Sequence, residues 1–146
     1  MNEPKNLYQS ADEIWAVVRN FEACTTLPAE FTHEAHLTVA LWYLSRLSVT
    51  DATERMRDHL FRFLNHYGER GYNETITVFW LKAVRNFLAS TTTTSSASRS
   101  MTEMANELTA TYNNSRLIFD YYSKELLASE EASDNWVEPD LRPLDF

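Results

Sequence analysis

The sequence predicts an all-α, single-domain bundle of five or six helices with an extended C-terminal strap. Three observations point there. Only two glycines and four prolines occur in 146 residues, whereas an all-β chain needs many tight turns. Apolar residues recur at helical spacing in one segment after another. Hydrophobic residues make up 44%, and a chain of this length buries roughly two-thirds of its unfolded surface around one core.

Residues 1–9 read as a loose arm. Ser10-Ala11-Asp12-Glu13 then has the pattern of a capping box, in which the serine accepts a first-turn amide and the glutamate reaches back. Ile14, Val17, Val18 and Phe21 follow at helical spacing and predict a first helix over about 11–23. Thr25-Thr26-Leu27-Pro28 ends it. Thr32 is the expected cap of the second helix, where Ala35, Val39, Leu41, Trp42, Tyr43, Leu44 and Leu47 cover most of the circumference. A helix apolar on most sides is surrounded by neighbours, so this one is expected at the centre.

The third helix is expected from Thr50 or Asp51, with Ala52, Met56, Leu60, Phe63 and Tyr67 on one stripe and Gly68 as the stop. The fourth is expected from Tyr72 or Asn73 to about Ala89. Residues 90–98 read as a hydroxyl-rich surface connection. A second capping box, Ser100-Met101-Thr102-Glu103, opens the fifth helix, and Asn113-Asn114-Ser115 closes it. Arg116 to Leu127 reads as a sixth helix. Pro139 and Pro143 keep residues 135–146 from forming a regular helix, while Trp136, Val137 and Leu144 suit a strap laid on the body.

The net charge of −8 disfavours nucleic acid and anionic membranes as partners. Cys24 is the sole cysteine, so no intrachain disulfide forms, as expected of a protein in the reducing cytoplasm. The N-terminal residues lack the apolar core of a signal peptide, and no uncharged apolar run approaches the roughly 20 residues needed to cross a bilayer.

An alternating up-and-down order places the N-termini of the second and fourth helices at one end, beside the C-termini of the first, third and fifth. His33, His36 and His66 fall at that end, with Cys24, Glu30, Tyr72, Asn73, Glu74 and Tyr112, and His59 is the exception. His33, His36 and Glu74 are the candidate catalytic groups, either as ligands of a divalent metal (Zn, Fe or Mn) or as metal-free acid–base groups. Tyr72, Asn73, Thr77, His66, Tyr43, Trp80, Tyr112 and Tyr122 are the candidate substrate-binding residues. Imidazole and carboxylate suit both chemistries, and two helix N-termini at one end favour an anionic ligand group.

The motifs themselves are unspecific. Glu30-Phe31-Thr32-His33 is a lone Glu-x-x-His, where di-iron bundles use two. His33-Glu34-Ala35-His36 is one residue short of the zinc-protease pattern. Each residue also has a structural reading: Thr32 and Asn73 as caps, Glu74 as a first-turn carboxylate, and His36 as a histidine on the flank of the core. The function expected is a small-molecule-transforming enzyme with its His/Glu site at one end of the bundle. The alternative is a non-catalytic small-molecule-binding or protein-interaction module. The partner expected is a small molecule, and self-association into a homo-oligomer stays open.

Phe31-Thr32-His33-Glu34-Ala35-His36-Leu37, Gly71-Tyr72-Asn73-Glu74-Thr75-Ile76-Thr77 and Trp136-Val137-Glu138-Pro139-Asp140-Leu141-Arg142-Pro143-Leu144 together resemble segments of a family of small, mostly bacterial hypothetical helical proteins. No activity comes with that resemblance. It implies that the chain is one complete unit and that the tail belongs to the domain.

Overall fold

Short polar side chains start the helices of this protein. In the computed structural model, which describes residues 6–94 and 99–146, seven α-helices occur among the described residues: α1 (Ala11–Glu22), α2 (His33–Arg46), α3 (Val49–His66), α4 (Glu74–Thr94), α5 (Met101–Thr111), α6 (Lys124–Leu127) and α7 (Glu130–Asp134). Ser10, Thr32, Ser48, Ser100, Ser123 and Ser129 each accept a hydrogen bond from a first-turn amide. Asn73 does the same for α4 through its Oδ1, 2.9 Å from the Ile76 amide. Such caps satisfy donors that the helix itself cannot pair. The described residues contain no strand.

Two helices end on the same device. After α3, Gly68 takes φ 66°, its amide bonds to Asn65 O at 3.1 Å, and the Glu69 amide bonds to Leu64 O at 2.8 Å. After α1, Cys24 takes φ 58°, with matching bonds from Cys24 N to Phe21 O at 3.1 Å and from Thr25 N to Asn20 O at 2.9 Å. Both are left-handed helix stops. Only the first has the glycine that such a backbone favours.

α2 packs against α1, α3, α4 and α5, and Leu37 through Leu41 are all buried, as its all-round apolar surface predicts. Ile14, Val18, Phe21, Leu41, Met56, Phe79, Leu108 and Tyr122 fill the core around it. The C-termini of α1, α3 and α5 meet the start of α2. Tyr67 OH reaches Cys24 O at 2.9 Å and Thr26 O at 2.7 Å. His33 Nε2 reaches Tyr112 O at 2.7 Å.

Several expectations are corrected. α3 starts at Val49, ahead of the expected Thr50 or Asp51, because Ser48 is its cap. α4 runs on to Thr94, since no glycine or proline stops it at Ala89; residues 95–98 of the expected surface connection lie outside the described residues. The expected sixth helix is instead a 3-10 turn (Leu117–Asp120) followed by α6 and α7. Ser123 interrupts it, with its amide and hydroxyl at 2.8 and 2.6 Å from the Asp140 carboxylate. Of the expected loose arm, residues 1–5 lie outside the described residues. Tyr8 is fixed: its amide and carbonyl pair with the Asn106 side chain, both at 2.9 Å, and its hydroxyl lies 2.8 Å from Thr38 Oγ1.

The C-terminal residues 135–146 lie along the body. Thr75 donates to Asn135 O at 2.7 Å and accepts from the Val137 amide at 3.2 Å. Tyr122 OH donates to Val137 O at 2.6 Å, and the Leu141 amide donates to Tyr121 O at 2.9 Å. Trp136, Val137, Leu144 and Phe146 pack on the core. No helix among the described residues is long and apolar enough to cross a membrane.

Candidate functional site

The predicted site residues divide into three groups with separate partners. In the first, α2, α4 and α5 meet. His33 Nε2 faces the Tyr112 carbonyl, which can only accept, so that nitrogen carries the proton. The His33 ring stands edge-on to Trp80 with centroids 4.6 Å apart, and Trp80 lies 6.4 Å from the Tyr112 ring. These three predicted residues do come together, as a joint between helices.

The second group closes the end of the bundle with rings. His36 lies 5.8 Å from Phe31, Phe31 lies 5.3 Å from Phe63, Phe63 lies 5.2 Å from Tyr67, and Tyr67 lies 4.7 Å from His66. Aromatic side chains thus connect the two histidines. His36 is half-buried as a residue, and desolvation of its ring, reinforced by neighbouring His33, pushes its pKa down to about 4. It is neutral at pH 7.

The third group surrounds the start of α4. The left-handed turn at Gly68 sends residues 69–73 back alongside α3. Tyr72 therefore stacks on Phe61, with centroids 4.3 Å apart, and Glu74 meets Arg57. Arg57 donates through Nε at 2.9 Å and Nη2 at 2.6 Å to the two Glu74 oxygens, and Tyr72 OH donates to Glu74 Oε1 at 2.6 Å. These hydrogen bonds, Arg57 first, hold the Glu74 carboxyl below its usual range despite desolvation. Burial and the Glu74 acceptor push the Tyr72 phenol up to about 12.

Asn73 and Thr77 belong to the start of α4 as well, Thr77 beside Tyr72, and Tyr122 is engaged elsewhere. Asn73 caps α4 and donates to Leu127 O at 2.8 Å, Thr77 donates to Asn73 O at 3.0 Å, and Tyr122 secures the strap. Among the described residues, no group of three or more His, Cys, Asp or Glu side chains is arranged to hold a metal ion.

Tyr43 belongs to a set that sequence reasoning did not assemble. It donates to Glu22 Oε2. Arg55 donates to the same carboxylate through Nε at 3.0 Å and Nη2 at 3.1 Å. His59 Nε2 stands 3.7 Å from Glu22 Oε2, and His59 Nδ1 is buried without a partner. Desolvation works to raise the Glu22 pKa, but the bonds from Arg55 and Tyr43 outweigh it and lower the value. Burial and the carboxylate push the Tyr43 phenol up. Desolvation lowers the His59 pKa, with Glu22 opposing.

α3 thus carries two Arg–Glu–Tyr triads. Residues two apart on a helix point to different sides, so Arg55 turns toward α1 and Arg57 toward the start of α4. The triads border different hollows. Arg57, Phe61, Tyr72, Glu74 and residues 133–136 line an open hollow of about 400 Å³, which shares Phe61 and Tyr72 with a larger one of about 710 Å³ lined also by Arg62, Asn65 and Arg70. Trp15, Trp42, Arg46 and Leu47 line a smaller hollow of about 210 Å³ beside Glu22, Tyr43 and Arg55.

Compared with protein families, with curated proteins and with solved structures, the chain finds no match. Fold and site therefore define it only as a small helical bundle whose surface hollows include one beside the Arg57–Glu74 pair and one beside the Arg55–Glu22 pair.

Proposed function

We propose that the protein is a small-molecule-binding module and that its ligand sits in the hollow between α3, the start of α4 and residues 133–136. One observation carries this reading. The fixed Arg57–Glu74–Tyr72 triad lines this hollow together with Phe61, 52% exposed and stacked on Tyr72, and with Trp136. A few placed polar groups among rings are what a small-molecule site requires. The ligand is planar, to stack on Phe61, Tyr72 or Trp136. Its charge follows from a lining that sets Glu74 and Asp134 against Arg57, with Lys82 Nζ 5.1 Å from the Trp136 ring centroid, so a neutral ligand or a delocalised cation suits it better than an anion.

Binding fits this site better than turnover does. A carboxylate held ionised by an arginine is a weak proton acceptor, and Glu74 is so held. An enzyme using His33, His36 and Glu74 would need one ligand atom within about 3 Å of the groups acting on it. The three side chains instead engage Tyr112, Phe31 and Arg57 respectively. The single cysteine supports a place in the reducing cytoplasm.

The test is titration with benzamidine and adenine as planar probes, followed by backbone amide NMR. Saturable shifts are expected at Phe61, Tyr72, Glu74 and Trp136. They should vanish in Phe61→Ala, whose thermal midpoint should stay close to that of the parent because the ring is half exposed. Loss of the shifts in His36→Ala, with Phe61→Ala unaffected, would overturn the reading in favour of the histidine end.

A further inference from the structure

The second hollow carries chemistry that the first lacks. Trp15 is 40% exposed and lies 5.3 Å from Trp42. The Arg46 guanidinium lies 3.4 Å from the Trp42 ring centroid and donates to Ser45 Oγ at 3.1 Å. Arg55 closes the other side, 5.5 Å above the Tyr43 ring. Two arginines and one glutamate line the space, but the glutamate is already engaged. Its oxygens accept from Arg55 Nε, Arg55 Nη2 and Tyr43 OH, and its side chain is only 17% exposed. Arg55 keeps 48% of its side chain exposed. What this hollow offers to solvent is therefore guanidinium and indole.

We infer that the Trp15–Trp42 hollow binds a small carboxylic acid with an apolar body. The carboxylate would lie between Arg46 and Arg55, where planar guanidinium groups suit it. The hydrocarbon would lie on the two indoles and Leu47. A volume of about 210 Å³ equals about seven waters at ~30 Å³ each, enough for a short-chain or single-ring acid. In a chain of net charge −8, an anion needs a locally positive spot to approach, and this hollow supplies one. The inference is independent of the ligand proposed for the Arg57 hollow, which faces the other flank of α3 and carries the opposite charge balance.

The indole N–H signals in proton–nitrogen NMR are the readout, with Trp15→Phe and Trp42→Phe used to assign them. Hexanoate and uncharged hexanamide are the probes. Hexanoate is expected to shift the Trp15 and Trp42 signals saturably while leaving Trp136 unmoved, and hexanamide to bind about tenfold more weakly. Arg46→Gln, at an exposed helix end, should weaken hexanoate several-fold and leave hexanamide unchanged. Equal binding of the two probes, an unchanged hexanoate affinity in Arg46→Gln, or shifts confined to Trp136 would each overturn the inference.

Discussion

Arg55 and Arg57 hold the same kind of partner in different directions, and the two assemblies differ in where their tyrosines come from. Tyr43 rises from the core of α2 and is 2% exposed, so the Glu22 triad joins α1, α2 and α3. Tyr72 comes from the loop two residues before Glu74, so the second triad joins α3 only to the start of α4. A carboxylate tied into the core by a buried phenol works mainly as a brace. One tied to a loop tyrosine braces less of the fold, although Glu74, 12% exposed, is no more open than Glu22 at 17%. The same three residue types thus brace the fold to different extents according to the burial of one hydroxyl.

Removing the carboxylates tests this contrast most strongly. Glu22→Ala leaves the buried Tyr43 hydroxyl, Arg55 and His59 without their common partner. It should cost about 2–3 kcal/mol, the discount for the half-exposed Arg55 included. Glu74→Ala should cost about 1–2 kcal/mol on the same reasoning. Urea denaturation measures both, and equal losses would break the comparison. Tyr43→Phe should cost about 1 kcal/mol and Tyr72→Phe about half of that.

Acid titration separates the triads from the histidine end. The lowered pKa values of Glu22 and Glu74 mean that the unfolded chain binds protons there more readily. Their stabilisation is full above the ordinary glutamate value of 4.5 and is lost as pH falls through the lower folded values. His36, also lowered, from 6.5 to about 4, acts earlier. Its neutral ring costs no stability above pH 6.5, and stability declines between there and about pH 4. His36→Gln should reduce the early decline, leaving the share of His59, whose pKa is also lowered, and the later decline of the glutamates, and an unchanged profile would show that the His36 ring titrates normally. A similarly small effect is expected from lysine. Arg55→Lys and Arg57→Lys each keep the charge but lose the paired geometry, at about 0.5 kcal/mol. Arg57→Lys should additionally reduce benzamidine binding.

The helix starts were legible because a cap acts within three residues: Ser10, Thr32 and Ser100 are caps in the fold as in the sequence. The centrality of α2 was legible from its composition. The triads were not, because Arg55 and Glu22 are 33 residues apart and Arg57 and Glu74 are 17 apart, and surface arginines carry no local sign of their partner. The alternation of residues 55 and 57 between flanks was the available hint. The gathering of histidines follows from helix order alone. That order leaves out the rings of Phe31 and Phe63 between His36 and His66, and the return of residues 69–73 along α3. The expected sixth helix failed because Ser123 has a stronger use, holding Asp140 of the strap while capping α6.

The clasp between Tyr8 and Asn106 spans 98 positions. A chain made from its N-terminus exposes α1, α2 and α3 well before residue 106 leaves the ribosome. Until then the Tyr8 backbone lacks its partner, and the faces of α2 that meet α4 and α5 stay uncovered. Loop closure over such a span costs entropy before any contact rewards it. The first half of the molecule therefore waits on the second, and most of the chain must be synthesised before the native bundle can close.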